Sequence, residues 1–183
     1  MRVRVLRTLL VTAALASSSA AGVTATGATV AAASASSVPS NHWSTSPRSV
    51  TRTHSPAPEV TGIRVGRHRH FDRIVVDVHG AAPGYLVRYV RTLHRDPSGK
   101  TVNLLGPRSL LIVLSANGHD IATGTSTLTT PLRTPWKFDA VRETAVIGDF
   151  EAVFSVGVGL AGKTPFRVLT LHDPTRIVVD VHH

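Results

Sequence analysis

From residue 59 onward, apolar residues either alternate with polar ones or gather in short runs bounded by turn formers. The segments are Ile63-Arg64-Val65, Ile74 to Val78, Tyr85 to Leu93, Leu110 to Leu114, Val141 to Ile147, Ala152 to Val158, Phe166 to Leu171 and Ile177 to Val181. Branched and aromatic side chains dominate them, and such side chains pack well on a pleated surface while losing rotamer freedom in a helix. Between them stand Gly80 to Gly84, Asp96-Pro97-Ser98-Gly99, Asn117-Gly118, Gly148-Asp149 and Asp173-Pro174, all of turn-forming type. No stretch sustains a helical period of apolar residues. The pattern predicts an all-β, mainly antiparallel domain over 59–183: a β-sandwich or partly open barrel of about eight short strands. Helix is confined at most to short pieces between Ser115 and Asp139.

One heptapeptide occurs twice, as Arg73 to His79 and Arg176 to His182, both reading RIVVDVH. In a strand, Ile74, Val76 and Val78 fall on one face and Arg73, Val75, Asp77 and His79 on the other, and the second copy divides the same way. Two uses suit the charged face. Cross-strand ion pairing is the simpler, and a paired ligand surface of Arg, Asp and His is the alternative.

Upstream the composition changes. Arg2, Arg4 and Arg7 precede an apolar run from Thr8 to Ala16, which predicts a secretory signal over about 1–25, with cleavage between 20 and 35. Residues 26–58 are mostly Ala, Ser, Thr, Pro and Gly, a composition too poor in apolar surface to offset chain entropy, and they read as a disordered linker in which Trp43 is the only large apolar residue. Export would make the protein secreted and associated with the cell envelope. The chain has no cysteine, so disulfides, thiolate chemistry and a lipid-bearing cysteine are excluded, and once exported the protein is expected to diffuse freely or to be held by noncovalent contacts to the envelope. Twenty Lys and Arg, less three in the signal, stand against eleven acids, which leaves a formal +6. That balance suits an anionic partner, which outside a cell means a wall glycan or another anionic envelope polymer rather than nucleic acid.

The blocks VGRHRHFDRIVVDVHG, PGYLVRYV, GDFEAVFSVGVGL, TPFRVLTL and DPTRIVVDV, in that order, resemble the AMIN-like domain family of exported actinobacterial proteins over nearly all of Ile63 to Val181. The most specific are GDFE followed by Phe154 to Leu160, and the closing PFRV and RIVVDV blocks. The resemblance implies a β-sandwich-like fold and a non-enzymatic module that localises to peptidoglycan, or localises a partner there. Many relatives carry a lipid on cysteine, and this chain departs from them.

Gly157 to Thr164 satisfies the phosphate-loop pattern Gly-x-x-x-x-Gly-Lys-Thr. A working loop passes its lysine and threonine into a helix whose amides hold phosphates, yet here Pro165 follows and Phe166 to Leu171 alternates like a strand, so no nucleotide is expected. His68 and His70 have the spacing of two imidazoles on one side of a strand, which makes a histidine metal site the first alternative function; His79, His94, His119 or His182-His183 would have to complete it. An envelope glycan hydrolase using Asp149 and Glu151 is the second. No cofactor or metal is expected. A basic stripe is favoured over both alternatives. Arg64, Arg67, His68, Arg69, His70, Arg73, Arg88, Arg91, His94 and Arg95 lie on segments that a simple meander would make neighbours, giving a surface for anionic polymers whose histidines add charge below about pH 6.5.

Overall fold

The computed structural model describes residues 42–183. Twelve strands form, with no helix among the described residues. They are β1 (Arg48–Val50), β2 (Glu59–Arg67), β3 (Phe71–His79), β4 (Tyr85–Val90), β5 (Leu93–Arg95), β6 (Lys100–Val102), β7 (Arg108–Leu114), β8 (Arg133–Pro135), β9 (Val141–Phe150), β10 (Val153–Leu160), β11 (Phe166–Leu171) and β12 (Arg176–His182). A six-stranded sheet runs β1-β4-β7-β10-β9-β8, a four-stranded sheet runs β11-β12-β3-β2, and β5 and β6 form a separate hairpin. Every named strand pair is antiparallel. The eight expected strands are all present, with Tyr85 to Leu93 broken after Val90. The remaining strands are three-residue pieces that carry too little pattern to be read in advance.

The core is the product of period-two alternation on both sheets. Ile74, Val76 and Val78 of β3 and Phe166, Val168, Ile177, Val179 and Val181 of β11 and β12 belong to one buried cluster with Val87, Ile112, Leu114, Phe154, Val156 and Val158 of the larger sheet. Each such side chain contributes about 1.5–3 kcal/mol when fully buried, so this cluster is the main source of stability. A smaller cluster of Leu93, Ala145 and Ile147, packed with Val102, Leu104 and Leu111, lies where the β5–β6 hairpin meets the larger sheet.

The two RIVVDVH copies pair with each other. Antiparallel register sets Arg73 opposite Asp180 and Asp77 opposite Arg176, so the repeat places unlike charges across the ladder at both ends. The charges are used unequally. Asp180 is fully buried and binds both Arg73 and Arg167, whereas the exposed Arg64 takes Asp77 with Nε and Nη2 at 2.6 and 2.7 Å. Ion pairing is thus the observed use of the face.

The expected signal segment and residues 26–41 of the expected linker lie outside the described residues. Residues 42–58 depart from the disordered-linker expectation because a few specific contacts outweigh their composition. Ser44 exchanges both backbone hydrogen bonds with Phe166 of β11, and β1 pairs with β4, so this strap is bonded to both sheets. Trp43 fastens it: Arg167 lies over the indole at 4.6 Å, with Phe71 and His182 at ring-centroid distances of 5.9 and 5.6 Å. Trp43→Ala is expected to cost about 2 kcal/mol, from half-buried aromatic area and a cation–π contact. Urea denaturation checks this, with Trp43→Phe retaining most of the stability.

Candidate functional site

The nine candidate basic residues and His94 do not form one stripe. A meander would have set β3 beside β4, but β3 lies between β2 and β12 while β4 lies between β1 and β7 in the other sheet. Arg64, Arg67 and Arg73 are neutralised by Asp77, Asp139 and Asp180. His68, Arg69 and His70 sit in the β2–β3 turn rather than on a strand, and the His68 ring stacks on Phe71 at 4.6 Å. Among the described residues no group of three or more His, Asp or Glu could hold a metal ion.

The hydrolase pair is also separated. Asp149 belongs to β9, and its carboxylate accepts the Gly118 amide at 2.8 Å and pairs with His119 at 2.8 Å. Glu151 instead occupies the β9–β10 turn with Ala152, both at positive φ of 50° and 59°. This is the twist a two-residue hairpin needs, so the turn falls three residues beyond the expected Gly148-Asp149. The phosphate-loop match is a strand, a turn and another strand: β10 ends at Leu160 and β11 begins at Phe166.

Cations without an acidic partner gather elsewhere, at one end of the six-stranded sheet. Arg91 follows the last residue of β4, and Arg108 opens β7; because Val90 is in register with Ser109, the two arginines reach the same end. Leu160 is in register with Arg108, so the β10–β11 connection leaves from that end carrying Lys163. Arg91, Arg108 and Lys163, with Tyr89, Val90, Pro107 and Ser109, line an open groove of about 560 Å3 that no carboxylate lines. Arg88 and Arg95 stand apart. Arg88 lines one cavity with His94, Asp96 and Val113, and Arg95 lines a second beside Asp96 and Asp149.

Three features fix the groove. The Tyr89 hydroxyl donates to the Thr164 carbonyl at 2.8 Å and accepts the Thr164 amide at 3.1 Å, while the Thr164 hydroxyl donates to the His182 carbonyl at 2.6 Å. The turn bearing Lys163 is therefore pinned, and the ammonium lies 5.6 Å from the centre of the Tyr89 ring. Burial pushes the Tyr89 phenol above its ordinary value, against the opposing pull of its bonds to Thr164, so it remains a neutral donor. On the other side, buried Glu143 accepts the Leu105 amide at 2.7 Å and Arg133 Nε at 2.6 Å, which holds the loop leading into Arg108.

The Arg133 guanidinium holds the Glu143 carboxyl below the usual glutamate range; burial opposes the shift and the Leu105 amide reinforces it. Stability from Glu143 is consequently present above the unfolded glutamate value of about 4.3 and lost as pH falls through the lower folded value. Urea midpoints are expected to decline below about pH 4.3, less steeply in Glu143→Gln than in the parent protein.

Arg91 was among the residues picked out by sequence. Arg108 and Lys163 were not, because each is isolated in its own segment and Lys163 sits inside a misleading motif. Their common signal is a cation within three residues of a strand end, with no acid nearby in the chain.

No curated protein and no solved structure gives a significant match to this chain. The family comparison is positive, and it covers the groove and every strand except β1. The AMIN-like domain profile matches residues 58–183, well over half the chain, and the protein therefore belongs to the AMIN-like domain family.

Proposed function

We propose that this protein is an exported, non-enzymatic module that associates noncovalently with the bacterial cell envelope by binding an anionic component of the wall. Membership of the AMIN-like family supports an envelope-related role. The observation that carries the anionic ligand is the collection of Arg91, Arg108 and Lys163 in a groove that no acid lines, while Arg64, Arg67 and Arg73 of the opposite sheet are paired internally. Pairing matters here because a guanidinium already bonded to a carboxylate has little charge to offer a ligand. The histidine metal and hydrolase alternatives have no comparable assembled site among the described residues.

Sedimentation of the purified protein with sacculi, with and without their anionic polymers, tests the reading. Binding is expected to fall when those polymers are stripped and when salt rises from about 0.05 to 0.5 M, since exposed charges are screened within about 4 Å at the higher ionic strength. Sedimentation indifferent to both treatments overturns the anionic ligand, and failure to sediment at all redirects the search to an exported protein partner.

A further inference from the structure

We infer that the Arg91–Arg108–Lys163 groove is a phosphate-binding site, and that its ligand is a phosphate group carried on a polyol or glycan chain rather than a carboxylate. This deepens the anionic-ligand reading and rests on it. The argument begins with how this protein satisfies carboxylates of its own. Asp77 takes the two-pronged fork of Arg64, and buried Asp180 is satisfied by two arginines. One planar carboxylate with a single charge matches one guanidinium fork well. The groove offers more: two guanidiniums and an ammonium, brought from the ends of three different segments. A phosphate within a chain is a diester with one charge, like a carboxylate, so shape distinguishes them: its tetrahedral oxygens face several directions and meet separately placed donors.

The site is also preorganised. The backbone that carries Lys163 is fixed, because the next residue is bonded through its amide and carbonyl to Tyr89 and through its hydroxyl to His182. Tyr89 meanwhile supports the ammonium from below with its ring. Fixing donors before the ligand arrives reduces the ordering cost of binding. The lysine of the phosphate-loop pattern thus serves phosphate from an inter-sheet connection braced by a tyrosine, with no helix N-terminus involved. The open groove suits a chain passing through it, and Tyr89 and Pro107 give the intervening polyol or sugar an apolar surface.

The experiment measures Kd of the full chain, at low salt, for three probes: a glycerol-phosphate polymer, polygalacturonate matched in charge, and phosphatidylglycerol vesicles. The phosphate polymer is expected to bind at least about tenfold tighter than the polycarboxylate, a difference of about 1.4 kcal/mol. Arg91→Gln, Arg108→Gln and Lys163→Gln together are expected to weaken it by a further tenfold or more and to flatten its salt dependence by about two in log–log slope. Arg64→Gln with Arg67→Gln, which removes paired cations, should change affinity less than about twofold. Arg91 and Arg108 are exposed, so their double substitution provides a folded variant even if loss of Lys163 disturbs the Tyr89 turn. Vesicle binding that the triple variant loses supports the same groove with lipid as the phosphate source. Equal affinity for the polycarboxylate, or an unchanged triple variant, overturns the phosphate groove while leaving the broader anionic reading intact. A parent protein that binds none of the three overturns both.

Discussion

Asp180→Ala is expected to destabilise the fold by about 3–5 kcal/mol, the cost of removing one partner from a buried charge network. The carboxylate is 0% exposed and receives Arg73 through Nε and Nη2 at 2.7 and 2.9 Å and Arg167 Nε at 2.8 Å. All three residues are direct cross-strand neighbours on β11, β12 and β3, so the network links three of the four strands of that sheet. Without Asp180 the two guanidiniums, whose side chains are 28% and 21% exposed, lose their shared counter-charge while staying mostly withdrawn from water. The penalty belongs to the stranded charges rather than to the worth of the pairs. Replacing Asp180 with Leu together with Arg73→Met and Arg167→Met should therefore recover most of the loss, because apolar groups of similar size carry no desolvation penalty. Guanidinium denaturation of the parent, the single variant and the triple variant decides the matter. A triple variant as unstable as the single one would show that the triad acts through shape rather than charge.

The same triad shows what the chain discloses locally and what it withholds. Alternation in Arg73 to His79 is visible in the sequence, and the structure follows it residue by residue: Ile74, Val76 and Val78 are buried, while Arg73, Val75 and Asp77 are half-exposed. Its copy behaves differently. Val178 and Asp180 are buried as well; both strands are interior to the sheet, but only Asp180 has arginines converging on it from both flanking strands, Arg73 and Arg167. Identical heptapeptides have different surroundings, and surroundings are set by pairing across long chain separations that side-chain periodicity does not encode.

Long-range pairing also explains the errors over the site and the strap. The expectation of a single basic stripe assumed that consecutive strands are sheet neighbours, which fails between β3 and β4, where the chain passes from one sheet to the other. Arg91 was visible as a cation, but the groove exists only because antiparallel register returns Arg108 and the Lys163 turn to the same end. In the strap, composition averaged over residues 26–58 concealed the one residue that mattered. Trp43 finds Arg167, Phe71 and His182, and none of those partners is near it in sequence. Family resemblance was more informative than either, since it rests on ordered blocks across the whole domain.

Gly159→Ala is expected to cost about 3–5 kcal/mol, as overpacking of 1–3 kcal/mol adds to a buried polar group left unsatisfied at a similar cost. A Cβ at Gly159 would overlap the Leu105 carbonyl oxygen and lie 3.0 Å from Leu104 Cβ, so the obstacle is backbone and cannot rotate away. Nor can the 104–106 loop retreat cheaply. Its Leu105 amide is bonded to buried Glu143 at 2.7 Å, and Gly106 holds a φ of +100° where a Cβ would overlap the Leu160 backbone. Moving the loop would break the Glu143 bond and displace Arg108 and Pro107, which follow immediately. Phosphate-polymer affinity should therefore fall along with stability. Gly162 supplies the contrast within the same phosphate-loop pattern: nothing lies within 4 Å of a Cβ there, so Gly162→Ala should change stability by no more than about 0.5 kcal/mol. A nucleotide-binding loop makes the opposite demand, since the glycine before its lysine must let phosphate approach the backbone. Thermal melting of both variants separates the cases. Comparable damage at the two glycines would contradict this account of the Lys163 connection.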